Sequence, residues 1–167
     1  MHRLNISKIL FLLIINLGCL VKADESEVIP VTVENFPRVA FDVQSLSVIE
    51  QANGINNWQI NKLPILPDTQ PTTYLNRDML YLLAVIDIKN GAQISVPVIN
   101  DRYISFSIIT RDGYTSKVFY GGGVHMLNRD EIGTDFVHVV GRIMVDPDTP
   151  RDILEVNSLQ DKIRIFS

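Results

Sequence analysis

Three consecutive polar residues, Asn76, Arg77 and Asp78, stand directly before a long apolar run, and Tyr81 lies within the start of that run. Polar groups at the entrance of a buried strand need partners once water is excluded. An arginine beside an aspartate keeps the carboxylate ionised and can bind an anion through two hydrogen bonds. The four residues therefore predict either the wall of a polar ligand pocket or a structural network that satisfies the end of the strand.

A second pair of candidate residues lies on the strand that alternation predicts over Phe136–Val145. The alternation places His138 and Arg142 on one side and the core residues on the other. Residues four apart on a strand are separated by about 13 Å, so the two side chains do not touch but can line one cleft. His138 would then act as an acid or base and Arg142 would hold an anion. The alternative is a solvated or loop-covered outer face.

Composition excludes several kinds of site. Cys19 is the only cysteine, and after residue 23 the only histidines are His125 and His138, so a three-histidine zinc site is impossible. The spacing of histidines and carboxylates does not support a mixed metal site, and we expect no cofactor. The glycines at 121–123 lack the Lys-Ser/Thr of a phosphate-binding loop. The chain also has no Gly-x-Ser-x-Gly motif, which excludes the common serine hydrolase layout.

The first 23 residues predict a signal peptide. Arg3 and Lys8 precede the apolar segment Ile9–Val21, which is short for a membrane span. Cleavage after Ala23 would give a periplasmic or secreted protein without a stable membrane anchor. Two alternatives stay open, namely lipidation at Cys19 and retention of the apolar segment as an uncleaved anchor.

The remainder of the chain is acidic. The 167 residues carry a formal charge of −4, and the first 23 contain three of the basic residues and none of the acidic ones. The 144 residues from 24 to 167 therefore have a formal charge of −7. A nucleic-acid partner would require a basic surface, so we expect none. A chain of this length predicts a single domain over residues 24–167.

Apolar spacing predicts the elements that position the candidate residues. Helical periodicity predicts an N-terminal helix over residues 35–52, and a C-terminal helix is predicted to start with Asp148 or Thr149 as its cap and Pro150 in its first turn. The turn signal Asn90-Gly91 predicts a hairpin between the first two long strands. Apolar runs or alternation predict strands over residues 79–89, 93–98, 102–109, 117–120 and 136–145. The expected fold is a mainly β, antiparallel sandwich or barrel flanked by two helices.

The residues also carry a family resemblance. The block Asn76-Arg77-Asp78-Met79-Leu80-Tyr81 is similar to the Asn-Arg-Asp-Thr-Leu-Tyr signature of the bacterial family called domain of unknown function 1254. Met79 replaces the threonine of that signature, so no hydroxyl is present there. The resemblance implies a jelly-roll-like form of the sandwich. Further segments similar to the family are Val31–Phe36, Asp101–Ser105, Asp112–Thr115 and Arg142–Ile163.

Two classes of function are compatible with these patterns. We favour a non-catalytic module that binds a small ligand or a partner protein. The alternative is a hydrolase or lyase-like enzyme with a pocket built from Arg77, Asp78, Tyr81, His138 and Arg142. Convergence of the strand entrance and the 138/142 face on one concave pocket would favour the enzyme.

The resemblance also bears on partners, because members of the family often continue into a second domain. We therefore expect a separately encoded second-domain protein, or a second copy of this chain, as a partner. The expected docking surface is the apolar side of the C-terminal helix, which carries Ile153, Val156, Leu159 and Ile163. The alternative is that these side chains pack on their own sheet.

Overall fold

The structure is a computed structural model that describes residues 28, 30–66, 68, 76–99 and 101–167. Residues 31–167 form one compact unit. The predicted signal segment, including Cys19, lies outside the described residues. In the described part, no helix has the length and apolar character needed to cross a membrane.

Most of the regular structure of this unit is β-strand. Among the described residues, three helices accompany the strands, at Phe36–Gln51 (α1), Arg129–Ile132 (α2) and Pro150–Gln160 (α3). The strands are Gln59–Ile60 (β1), Met79–Asp87 (β2), Ala92–Val96 (β3), Ile104–Ile109 (β4), Thr115–Tyr120 (β5), Gly123–Leu127 (β6), Phe136–Met144 (β7) and Arg164–Phe166 (β8).

The strands form two antiparallel sheets, which confirms the prediction of a mainly β fold. One sheet has five strands in the order β1-β2-β7-β4-β5, and the other has three in the order β6-β3-β8. Strand β7 is the middle of the larger sheet and pairs with β2 on one side and β4 on the other. Because nearly the whole apolar length of β7 is paired, it sets the register of both β2 and β4.

The hairpin predicted at Asn90-Gly91 is wrong, because β2 and β3 belong to different sheets. The turn is real, since the Gly91 N–H donates to the carbonyl of Ile88 (2.9 Å) and Gly91 has a φ of +81°. It passes the chain from one sheet to the other. β2 has buried residues on both faces and pairs with the equally long and apolar β7.

Residues from both sheets share one hydrophobic core. Phe106 of β4 is fully buried there, and its ring lies beside Gly141, which is paired with Phe106 and with Leu82 on the two neighbouring strands. A Cβ atom at Gly141 would lie 2.9 Å from Phe106 Cε1 and 3.3 Å from Leu82 Cβ. A glycine is therefore required at this position of the central strand because the phenylalanine ring occupies the space of a side chain.

The C-terminal helix α3 packs against this same core. Val156 is fully buried and Ile163, just after the helix, is 1% exposed, while Ile153 and Leu159 contact the core from its edge. The apolar side of the helix is therefore covered within the chain. The docking surface expected there is wrong, and the partner itself stays a prediction.

Helix α1 lies on the opposite face of the five-stranded sheet, which we call the outer face. It begins with Pro37 in its first turn and buries Phe41, Ser45 and Val48. Two exposed ion pairs connect it to the β4–β5 turn, namely Arg38 Nε with Asp112 (2.5 Å) and Asp42 with Arg111 Nη2 (2.6 Å). α1 therefore covers one end of the outer face.

Candidate functional site

The first three candidate residues form an exposed turn that leads into β2. The Asp78 N–H donates to Asn76 Oδ1 (2.9 Å), and the Asn76 N–H donates to the hydroxyl of Tyr81 (3.3 Å). Asn76, Arg77 and Asp78 are all exposed, and neither Arg77 nor Asp78 has an ion pair with another described residue. Of the structural network expected at the strand entrance, the hydrogen bonds that join Asn76 to Asp78 and Tyr81 are present. The side chains of Arg77 and Asp78 contribute no ion pair to it, because the buried part of the strand begins only at Leu80.

Tyr81 and Arg142 are the two candidates that the fold brings together. They are direct partners across the β2–β7 pair, and both point to the outer face. The guanidinium carbon of Arg142 lies 5.9 Å from the centre of the Tyr81 ring, within the range of a cation–π contact. Tyr81 is buried and Arg142 is half-buried. The arginine therefore has an aromatic neighbour at one side of its charge.

Arg142 has no carboxylate partner among the described residues. An arginine that is partly withdrawn from water is normally paired, because desolvation of an unpaired charge is costly. By contrast, Arg102, Arg111 and Arg129 each pair with an aspartate. The free guanidinium of Arg142 is thus available to an anion from outside the described chain.

Sequence reasoning missed the other residues that surround Arg142. Ser105 of β4 is paired with Arg142 on one side and with Tyr120 of β5 on the other. The register therefore places Tyr81, Arg142, Ser105 and Tyr120 in one row across four strands of the outer face. The alternation of residues 102–109 places Ser105 away from the core, but only the strand order shows that it lies beside Arg142.

His138 lies on the same face but is closed off from this row. It is 6% exposed, and its ring packs edge-on against Phe41 of α1, with the ring centres 5.7 Å apart. Its Nε2 atom is buried without a hydrogen-bond partner among the described residues. Burial lowers the pKa of the His138 imidazole below its usual range. The neutral form is therefore favoured.

The six predicted residues thus do not form one pocket. His138 and Arg142 are four residues apart on β7, a separation of about 13 Å, and α1 covers the His138 end. The Asn76–Asp78 turn lies beyond the start of β2. Tyr81 and Arg142 remain as neighbours on the part of the face that α1 leaves uncovered.

A separate polar cleft involves Asp78. Arg102 binds the carboxylate of Asp152 through both of its terminal nitrogens, and Nη1 also donates to the carbonyl of Met144 (2.8 Å). The Asp146 N–H donates to the same carboxylate (2.8 Å). The Arg102 guanidinium holds the pKa of Asp152 below its usual range. These groups satisfy one another and attach the start of α3 to the larger sheet, so we assign them a structural role.

Metal binding has no support in the described part of the chain, where no group of three or more histidine, cysteine, aspartate or glutamate side chains could hold an ion. His125, the other histidine of the folded unit, stacks on Phe119 at 4.8 Å and its Nε2 lies 3.1 Å from the carbonyl of Gly121. These contacts give His125 a packing role between β5 and β6.

No family model and no curated protein matches the chain. Among solved structures, the chain is similar to the VPA0106 protein from Vibrio parahaemolyticus, with a TM-score of 0.59 and 21% sequence identity. The similarity covers 78% of this chain and 35% of the Vibrio chain. The chain therefore spans about a third of the length of that protein. At this level of identity the likeness shows a shared fold alone.

Proposed function

We propose that the protein is a non-catalytic binding module that takes a small anionic ligand on its outer face, at Arg142. The observation that supports this proposal is the guanidinium of the half-buried residue Arg142, which lies over Tyr81 and has no ion-pair partner among the described residues. A carboxylate or phosphate would supply the missing charge and could accept two parallel hydrogen bonds. The neighbouring Ser105 hydroxyl offers a further donor.

The enzyme alternative lacks support from the arrangement of its candidate residues. An acid or base must come within hydrogen-bond reach of the substrate, and α1 covers His138. Asp78 is exposed in a turn before β2 rather than on the strand that carries Tyr81. The residues that remain beside Arg142 can bind and orient a ligand.

The cellular setting is part of the proposal. The charged start and short apolar segment of residues 1–23 support export to the periplasm or medium. The motif around Asn76–Tyr81 supports membership of the domain of unknown function 1254 family. Two sheets that share one core support a sandwich of the jelly-roll type.

Mass spectrometry of the exported protein should give a first residue at Asp24. A lipid-modified Cys19 or an intact Met1 would contradict cleavage at this position.

Ligand binding can be tested with acetate and inorganic phosphate as probes. Titrations followed by backbone amide NMR should shift the signals of Arg142, Ser105 and Tyr81 in a saturable manner. The Arg142→Gln variant should lose these shifts, whereas Arg77→Gln should keep them. Arg77 is a suitable control because it is also an arginine without an ion pair among the described residues, but it is exposed in a turn. Saturable binding that survives Arg142→Gln, or no binding of either anion, would refute the proposal.

A further inference from the structure

Two exposed tyrosines extend the Arg142 row toward the edge of the sheet. Tyr103, just before β4, and Tyr120 of β5 form an edge-to-face pair with ring centres 6.1 Å apart. Tyr120 is directly paired with Ser105, and Ser105 with Arg142. Tyr103 continues the pairing of β4 with β7 one residue before the strand, because the Met144 N–H donates to its carbonyl (3.0 Å), so Tyr103 lies on the outer face like Ser105 two residues later. A guanidinium, a hydroxyl and an aromatic pair therefore follow one another across neighbouring strands.

Ser105 adds an independent observation to this arrangement. Its side chain lies between Arg142 and Tyr120 and is only 1% exposed, yet its hydroxyl makes no hydrogen bond to the described residues. The two aromatic rings, in contrast, are open, with 40% of Tyr103 and 64% of Tyr120 exposed. The row thus combines a guanidinium without an ion pair among the described residues and a serine hydroxyl at its centre with exposed aromatic surface at its end.

We infer that the ligand of this site is an aromatic carboxylate, an inference that rests on the anion-binding function proposed above. The carboxylate would bind the Arg142 guanidinium and accept a hydrogen bond from the Ser105 hydroxyl. The aromatic ring of the ligand would pack against Tyr120 and Tyr103. One strand, β4, lies between the strands that carry Arg142 and Tyr120, so their backbones are about 10 Å apart. Both side chains are long, and the space left between their ends is about the size of one substituted aromatic ring. A compact anion such as acetate would use only half of the site.

The test compares benzoate with acetate, which have the same charge but differ in the aromatic ring. Isothermal titration calorimetry should show that benzoate binds about three- to tenfold more tightly than acetate, the gain that one aromatic contact supplies. Tyr120→Leu should lower benzoate affinity to near that of acetate and leave acetate affinity unchanged. Tyr114→Leu is a matched control, since Tyr114 is an exposed tyrosine outside the row. Both tyrosines are largely exposed, so the variants should fold.

The outcomes separate this inference from the function on which it rests. Equal affinities for benzoate and acetate, both lost in Arg142→Gln, would overturn the aromatic inference and leave the anion site in place. A preference for benzoate that persists in Tyr120→Leu and in Tyr103→Leu would also overturn it. Absence of binding for both probes would refute the site as a whole. The Ser105→Ala variant should bind both probes more weakly, whereas Ser107→Ala, one pleat away on the same face, should not. This result would support a carboxylate bound between Arg142 and Ser105.

Discussion

Replacement of Gly141 by alanine should destabilise the protein by overfilling its core. The new methyl group would lie 2.9 and 3.1 Å from two carbons of the Phe106 ring and 3.3 Å from Leu82 Cβ. The ring cannot move away easily, because Phe106 is fully buried and also packs near Trp58 and His125. Overpacking of this kind destabilises a protein by about 1–3 kcal/mol. Alanine also lowers the conformational entropy of the unfolded chain relative to glycine, which offsets about 0.4–1 kcal/mol of this loss.

We therefore expect Gly141→Ala to lower the free energy of unfolding by about 1–2 kcal/mol, and Tm by roughly 3–7 °C. Urea denaturation of the mature protein measures the first value and calorimetry the second. In a Phe106→Leu background, which leaves space beside residue 141, the same substitution should cost at least about 0.5 kcal/mol less. A neutral effect of Gly141→Ala, or an equal cost in both backgrounds, would refute the packing argument.

Three further predictions concern charge. Because burial lowers the pKa of His138, stability should fall as the pH drops below about 6.5, by at most about 1.4 kcal/mol per pH unit until the native pKa is reached. Urea unfolding between pH 5 and 8 should show this slope in the wild type and in His125→Gln but not in His138→Leu, and an identical slope in all three would contradict it. Asp152→Asn should cost about 1–3 kcal/mol at pH 7 through loss of the Arg102 pair. The difference should shrink as the pH falls below about 3.9, where the carboxylate of the unfolded chain becomes protonated, and should vanish only below the lower pKa of the native carboxylate. Equal stability at pH 7 would remove the structural role assigned to this pair. Asp78→Asn should stay within about 0.5 kcal/mol of wild type, because the carboxylate is exposed and unpaired within the described chain, and a larger loss in the same assay would reveal a missing partner.

The periodicity of the sequence predicts individual strands well because the burial of alternate side chains is a local property. The strand expected over Phe136–Val145 is present at Phe136–Met144. Its division into a core face and an outer face is confirmed, with Val137, Val139 and Ile143 fully buried. Gly141 fits the core face only because a ring from another strand fills its place. That detail depends on a partner 35 residues away along the chain, and the local pattern does not contain it.

The candidate site could be predicted only in part for the same reason. Arg142 and Tyr81 were both recognisable as polar groups on or beside apolar strands, but their contact follows from the pairing of β2 with β7 rather than with β3. The exclusion of His138 depends on a helix more than 80 residues earlier in the chain, which packs Phe41 over it. Arg77 and Asp78 are exposed because the buried part of the strand starts after them. Long-range packing decides each of these outcomes.

The central position of β7 has a consequence for the order of folding. β2 and β4 are both complete by residue 109, but the strand that joins them in the sheet begins only at Phe136. Until that segment is available, the apolar strand β2 lacks its main partner, and closing the intervening stretch from Asp87 costs chain entropy before any contact between β2 and β7 is gained. Sheet formation should therefore be slow, with a high contact order. A chain that pauses or is cut before residue 136 would expose an unpaired apolar strand, and such chains would depend on chaperones or aggregate.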